Sequence, residues 1–378
     1  MMTRDVYPLT FDPIYKDYVW GGERIRTVLG RDLPSGIYAE SWEITDRREG
    51  TSIVNNGSQA GRSLRELAET LGARLVGTQA RPGPFPLLVK IIDAKQPLSV
   101  QVHPSSESAA LVGGEPKTEM WVALSGMVAG RVFAGLTEGV GRAAFETAIH
   151  EGALERVLNA IELEARDAVF VPGGQVHAID AGCFLLEIQQ NSDTTYRIYD
   201  WGRVGPGGKP RELHVDQALK VINWSDRSAQ KIPRHDIRQA GGYTSWGICS
   251  CPDFTVERWI LQEPLRCEND GRSFRILFVD SGTVTVESPG VSVELKPGTS
   301  CLLPAALREV SLTPSVGPPA GGRPHGLLGD VSDVSAGTAP DAAPGTAADA
   351  SPGTAPDVSP AGTRGGTSTG AEMIAITL

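Results

Sequence analysis

Little in this chain is basic, membrane-like or cross-linked. Lys and Arg number 35 against 45 Asp and Glu, a formal net charge of −10. No basic stripe offsets that balance, which argues against a general nucleic-acid binder and leaves an anionic ligand to be captured by a few local cations. No run of about twenty apolar residues is present to cross a bilayer, and the opening Met-Met-Thr-Arg-Asp-Val-Tyr-Pro-Leu lacks the apolar centre of a signal peptide. The expectation is a cytoplasmic protein with no membrane partner. Five cysteines, at 183, 249, 251, 267 and 301, are odd in number and show no repeated pair spacing, so neither a disulfide framework nor a zinc knuckle is expected. Cys249-Ser-Cys251 is too closely spaced for the usual redox pair and is read as structural. A Gly-rich phosphate loop of the Walker or dinucleotide type is also missing.

What is present is a soluble globular composition, 378 residues with 40% hydrophobic content, enough for one large or two moderate cores. Its most informative feature is a set of metal-ligand residue types on three separated strand candidates. In Pro97-Leu-Ser-Val-Gln-Val-His103 apolar and polar residues alternate, which sends Leu98, Val100 and Val102 to one face and Ser99, Gln101 and His103 to the other. Lys117 to Leu124 alternates likewise and places Lys117, Glu119 and Trp121 together. Ala168-Val-Phe-Val171 reads as a buried strand, followed by a Pro-Gly-Gly turn and a return strand carrying His177. Taken singly, His103 before Pro104 could simply end a strand and Glu119 could be a solvated charge. Taken together, two imidazoles, a carboxylate and an amide oxygen make one mononuclear N/O site, which suits zinc and would also accept iron, manganese or cobalt.

From Gly182 a hydrophobic strand opens into the polar run Gln189-Gln-Asn-Ser-Asp-Thr-Thr195, and a second strand, Tyr196 to Trp201, follows. Such a run is costly to bury without partners and is expected to line a wet cavity. Glu187 is expected to point inward, with Thr195, Arg197 and Tyr199 sharing another face. Leu186 to Asp200, with Pro97-Leu-Ser-Val-Gln-Val-His-Pro104, Lys117-Thr-Glu119 and Pro172-Gly-Gly-Gln-Val-His177, closely resembles the type I mannose-6-phosphate isomerases in their short bacterial form. The likeness extends from Tyr15-Lys-Asp-Tyr-Val-Trp-Gly-Gly22 and Glu40-Ser-Trp-Glu43 to about Ala306. The Pro-x-Gly-x-x-His spacing looks like the second motif of cupin barrels. The resemblance implies one Zn2+ per chain, bound by Gln101, His103, Glu119 and His177, a catalytic Arg197, and a hexose 6-phosphate as substrate.

The chemistry such a reaction needs is compatible with these residues. Interconverting an aldose and a ketose phosphate moves a proton between C1 and C2 through an enediol. The site must therefore stabilise an oxyanion and hold one acid/base group near both carbons. Arg197 stays protonated, so its role would be electrophilic stabilisation and sugar positioning; the bland alternative is a partner for Glu187 or Asp200. Glu187, Lys117 and a metal-bound water are the three candidates for carrying the proton. Lys90, Lys117 and Arg197 are the nearest cations for the phosphate, with Ser99 as a hydroxyl donor beside the metal strand. Lys90, at the end of Pro86-Leu-Leu-Val-Lys90, could otherwise be a snorkelling strand-end lysine.

The fold expected is mainly β: two cupin-type, jelly-roll β-barrels with a small helical insertion and a disordered Pro/Ala/Gly/Thr-rich segment near the C-terminus. Residues 1–241 would form the catalytic domain, with the helical block at about 142–160, and 242–313 a metal-free barrel, since no histidine follows Pro297-Gly298. Ser63-Leu-Arg-Glu66 is a capping box opening a helix with Leu64, Leu67, Ala68 and Leu71 on one face, and Glu212 to Ile222 reads as another helix. His214 there is read as a cap or surface residue, and His150, His235 and His325 have no ligand partners at useful spacing. Three imperfect copies of an eight-residue unit, Gly337–Pro344, Gly345–Pro352 and Gly353–Pro360, lie within 314–371 and are expected to be disordered. Beyond them, 372–378 recovers strand alternation and is expected to return to the C-terminal sheet. A non-catalytic hexose-phosphate sensor and a non-haem iron oxygenase are the competing functions.

Overall fold

The computed structural model describes residues 6–205, 208–226, 229–315 and 370–378. The first half of the chain builds two antiparallel sheets. One is six-stranded, in the order Ala168–Val171, Glu119–Ala123, Phe184–Gln190, Leu87–Asp93, Glu40–Ile44, Ile14–Lys16. The other is five-stranded, in the order Leu158–Glu164, Ala129–Leu136, His177–Ile179, Val100–Val102, Tyr196–Tyr199. Val100 and Val102 pack with Phe133, Ala178 and Ile198 and with the helices Arg142–Glu151 and Val215–Val221, which contribute Phe145 and Val221. Gln101, between the two valines, faces the other way, so the helices cover one face of this sheet and leave its polar face for the interior.

Several boundaries differ from the sequence expectation, each for a local reason. The strand ending at Lys90 continues to Asp93 with every residue buried, so Lys90 is a mid-strand residue and not a snorkelling strand end. The helical block stops at Glu151, where Gly152 adopts φ 65 and caps it; Leu158–Glu164 then alternates buried and open residues and pairs with Ala129–Leu136. The Pro-Gly-Gly turn forms, but the strand after it does not return along the strand before it. Ala168–Val171 pairs with the Glu119 strand in the six-stranded sheet, whereas His177–Ile179 pairs in the five-stranded one. The helix at Ser63 has the full capping box: Ser63 Oγ accepts from Glu66 N at 3.2 Å, and Ser63 N donates to Glu66 Oε2 at 2.8 Å. The helix read from Glu212 is confined to Val215–Val221, with His214 at its N-cap.

The second half also forms two sheets. One has the order His235–Ala240, Tyr243–Ser250, Thr255–Leu261, Ala371–Thr377, Arg275–Ser281, Ser300–Leu303; the other Leu265–Glu268, Glu309–Ser315, Thr283–Ser288, Val291–Leu295. His235–Ala240, Tyr243–Ser250, Leu265–Glu268 and Glu309–Ser315 have no counterpart in the sequence reading, and the first pairs across the boundary drawn at 241. Of the segment expected to be disordered, 316–369 lies outside the described residues, while Pro314 and Ser315 belong to a strand. The strand Ala371–Thr377 lies in the interior of its sheet, hydrogen-bonded to Thr255–Leu261 on one side and Arg275–Ser281 on the other. It also carries Glu372, 2% exposed, against the buried Arg258 and against Arg166 from the first half, at 2.8 Å. Asp280 completes this group: its Oδ2 meets Arg258 at 3.0 Å, and its Oδ1 accepts from the Ser125 backbone N–H at 2.8 Å.

Excision of residues 320–368 is expected to shift the melting temperature by no more than a few degrees, because closure entropy varies only as the logarithm of loop length. Deleting Glu372–Leu378 instead should abolish cooperative melting of the C-terminal sheet, since an interior strand and its apolar faces are lost together. Glu372→Ala, which strips a buried guanidinium of one of its two carboxylates, should cost about 3 kcal/mol. Thermal melts and denaturant titrations of the three proteins check the order.

Candidate active site

Three acceptor atoms converge between the two sheets of the first half. Glu119 comes from the six-stranded sheet; His177 opens a strand of the five-stranded sheet, and His103 follows another. Glu119 Oε2 lies 3.3 Å from His103 Nε2 and Oε1 lies 3.3 Å from His177 Nε2, all three residues being 1% exposed. His103 Nδ1 donates to the Thr194 carbonyl at 2.8 Å and His177 Nδ1 to the Gln175 carbonyl at 2.9 Å. A carbonyl can only accept, so each ring carries its proton on Nδ1 and turns the Nε2 lone pair to Glu119. The repulsion between those lone pairs and the carboxylate is offset here by the Lys117 ammonium, 3.1 Å from His103 Nε2 and 2.8 Å from Glu119 Oε2, and by the Gln101 amide nitrogen beside His177 Nε2; a metal ion would take the same acceptor atoms. The donor set therefore fits a metal ion, and among the described residues it is the one His/Cys/Asp/Glu group with this geometry.

The turn before His177 holds this convergence together. Gly174, at φ 92, donates its N–H to the His103 carbonyl at 2.7 Å, and a Cβ on Gly173 would fall 2.6 Å from Ser105 Cα. In register, His177 stands opposite Gln101. Gln101 turns its amide nitrogen to His177 Nε2 at 3.3 Å and its oxygen to Ser99 Oγ at 3.2 Å. To coordinate a metal through oxygen, as the sequence suggested, that amide would have to rotate by half a turn.

Beside the cluster runs a row of alternating charge across four adjacent strands. Glu40 is 3.4 Å from Lys90, Lys90 3.2 Å from Glu187, Glu187 3.5 Å from Lys117, and Lys117 2.8 Å from Glu119. The Trp42 indole donates to Glu40 at 2.7 Å and the Trp121 indole to Glu187 at 3.3 Å. Burial and the neighbouring Lys117 ammonium push the His103 imidazole down to about 3, and burial lowers His177 as well, so both rings are neutral. Burial opposes ionisation of Glu119, but the Lys117 ammonium outweighs it and holds the carboxyl well below its usual range. Glu187 is raised, by burial and by Glu119, with Lys90 and Lys117 opposing. Burial works against the Lys90 charge, yet Glu187 and Glu40 keep the ammonium bound to its proton beyond the ordinary lysine range.

A cavity of about 390 Å³ opens over this row and is lined by Ser99, Gln101, Lys90, Lys117, Glu187 and Arg197 among others. The sequence-derived candidates thus fall into a cluster (His103, Glu119, His177), a neighbouring amide (Gln101) and a chamber wall. Arg197 bonds neither Glu187 nor Asp200, the partners proposed for a structural role; its Nη1 donates to the Glu212 carbonyl at 2.8 Å. Lys90 and Lys117, read as free cations for a phosphate, are each paired with two carboxylates. Sequence reasoning missed the Glu40 carboxylate, Tyr18, Trp20 and Arg211 as chamber residues. Glu40-Ser-Trp-Glu43 and Tyr15-Lys-Asp-Tyr-Val-Trp20 had been noticed only as motifs, and nothing local ties them to residues 90 or 187.

A buried His2Glu cluster between the sheets of a cupin fold, separated from a polar chamber by Gln101 and Lys117, defines a metal-dependent cupin enzyme. Residues 9–123 match the family described as phosphomannose isomerase type I, catalytic domain, and residues 247–316 that described as mannose-6-phosphate isomerase, cupin domain. Mannose-6-phosphate isomerase ManA of Bacillus subtilis is 34% identical over 307 residues, covering 81% of this chain and 95% of that protein. The mannose-6-phosphate isomerase of Streptococcus mutans serotype c is 33% identical over 293 residues, 77% of this chain and 90% of its own. A crystal structure of the Bacillus subtilis mannose 6-phosphate isomerase superposes with a TM-score of 0.74 at 30% identity, over 81% of this chain and 96% of that one. The chain belongs to the type I phosphomannose isomerase family. No helix among the described residues is long and apolar enough to cross a membrane.

Gly173→Ala should lower stability by about 1–3 kcal/mol through overpacking against Ser105. It should also weaken metal binding by displacing His103 and His177 relative to each other, read by a melt and by metal titration of the same preparation.

Proposed function

We propose that His103, Glu119 and His177, with Gln101 as a fourth ligand once its amide turns, hold one zinc ion per chain. The adjoining chamber then carries out the isomerisation of mannose 6-phosphate to fructose 6-phosphate that family membership gives this chain. The observation that supports the reading most is the pair of Nε2 lone pairs directed at one buried carboxylate. When bound, the metal supplies a Lewis acid for the sugar carbonyl. Glu187 carries the proton between C1 and C2: it lines the chamber, it is raised by burial, and its Oε1 has no hydrogen-bond partner beyond the two ammonium contacts. Lys117 contacts both Glu119 and Glu187 and so orients the ligand and the proton carrier together. Lys90 fixes Glu187 from the other side, and Ser99 offers its hydroxyl to the sugar. Arg197 meets the negative charge that grows on the enediol oxygens. A cytoplasmic location remains part of this reading, with the division between the halves moved ahead of the strand that begins at His235.

The decisive experiment is a coupled assay with metal-stripped and zinc-restored protein. Stripping should abolish turnover and zinc should restore it, while Glu119→Ala and His177→Ala should lose both metal and activity. Full turnover by rigorously metal-free protein would refute the assignment, and hexose-phosphate binding without turnover in the zinc form would make the protein a sensor.

Arg197→Ala should keep stoichiometric metal and lose roughly a hundredfold to a thousandfold in kcat. Glu187→Gln should keep metal and lose about 10²- to 10⁴-fold. Near-normal kcat in either variant, with metal intact, would remove that residue from the chemistry.

A further inference from the structure

The cations that line the chamber differ in how far each is committed to a carboxylate, and the difference indicates which of them meets the substrate phosphate. Both lysines are committed: Lys90 to Glu40 and Glu187, Lys117 to Glu119 and Glu187. Two guanidiniums, those of Arg203 and Arg211, share a single buried carboxylate, Asp200, and the charge of Arg211 also reaches Arg197. Arg203 reaches Asp200 Oδ1 at 2.5 Å and also donates to the Pro97 carbonyl. Arg211 holds Asp200 in two bonds, Nε to Oδ2 at 2.8 Å and Nη2 to Oδ1 at 2.6 Å. Burial and the nearby Arg211 charge lower the proton affinity of Arg197, as an excess of positive charge would. Asp193, the acidic residue lining the chamber outside the charge row, is solvent-exposed.

Of the three guanidiniums only Arg197 and Arg211 line the chamber. Arg197 pairs in register with Gln101, beside the metal ligands, and spends Nη1 on the Glu212 carbonyl. Among the described residues nothing accepts a hydrogen bond from Arg211 Nη1, while the two-point pairing with Asp200 fixes the guanidinium plane. A rigid, half-open guanidinium with a spare donor is what a phosphate monoester requires.

We infer that Arg211 anchors the phosphate of the sugar phosphate and so determines the preference for a phosphorylated over a free hexose. This rests on the isomerase reading above. Asp200 holds the guanidinium in place through its two bonds; Arg203 shares that carboxylate but neither bonds Arg211 nor lines the chamber.

The test measures kcat, KM for mannose 6-phosphate, and the inhibition constant of inorganic phosphate for Arg211→Gln, Arg211→Lys and Arg203→Gln, with zinc content determined for each. Arg211→Gln should raise KM and the phosphate inhibition constant in parallel, by roughly 10- to 100-fold, the loss expected for a charged hydrogen-bond partner. Its kcat should change little, and Arg211→Lys should recover part of the affinity. Arg203→Gln, which perturbs Asp200 without lining the chamber, should lower the melting temperature and leave KM within about twofold. Unchanged KM and phosphate inhibition in Arg211→Gln would overturn the inference, as would equal KM effects in Arg203→Gln and Arg211→Gln. If the wild-type protein itself shows no zinc-dependent turnover, the isomerase reading fails, an outcome distinct from a normal KM in an active Arg211 variant.

Discussion

Five charged side chains lie side by side in the interior of the first half, and none of them is tolerable there alone. Glu40, Lys90, Glu187, Lys117 and Glu119 form a continuous alternation in which each ammonium sits between two carboxylates. Taking an isolated charge into such a place costs several kcal/mol, and the cost is offset only when partners of opposite sign arrive in the same geometry. Four of the five come from adjacent strands of one sheet, so the register of those strands is a condition of the row. A slip of one residue would turn Lys90 or Glu187 to the opposite face and leave the others unpaired. Three carboxylates against two ammoniums also leave one negative charge beside two neutral imidazoles, which a divalent cation complements.

The same logic recurs in the second half with a structural purpose. Arg258, fully buried, is neutralised by Asp280 from its own half and by Glu372 from the last strand, and Glu372 also takes Arg166. Arg166 and Ser125 belong to the connections that flank the Glu119 and Ala168 strands. Packing, too, is continuous, with Phe85 and Phe274 4.6 Å apart between ring centroids. The residues after the eight-residue repeats thus complete a sheet and bring the carboxylate that lets Arg258 be buried.

How far the site could be read from the sequence depended on how local each signal was. Gln101 and His103 are two residues apart on one alternating strand, Glu119 opens another, and the Pro-Gly-Gly turn announces His177. Strand alternation and turn chemistry reach that far. The partners of Lys90 could not be seen, because Glu40 lies 50 residues before it and Glu187 almost a hundred after it; a lysine at the end of an apolar run looks the same whether it reaches water or a buried carboxylate. Arg211 was invisible for the same reason. Its part follows from sharing Asp200 with Arg203 and from the wall on which it stands.

By itself the sequence determined the class of fold, the strands with strong alternation, the Ser63 helix cap, the three residues that converge in the buried cluster and the family, because each is written in neighbouring residues or in long specific motifs. Only the tertiary structure decided that the strand of His177 belongs to a different sheet from the strand before its turn, and that the lysines are spent on carboxylates. It also decided that the last strand lies inside a sheet and not at its edge. Those are matters of pairing between distant segments, set by which buried charges and apolar faces complement one another, and a one-dimensional period carries no record of them.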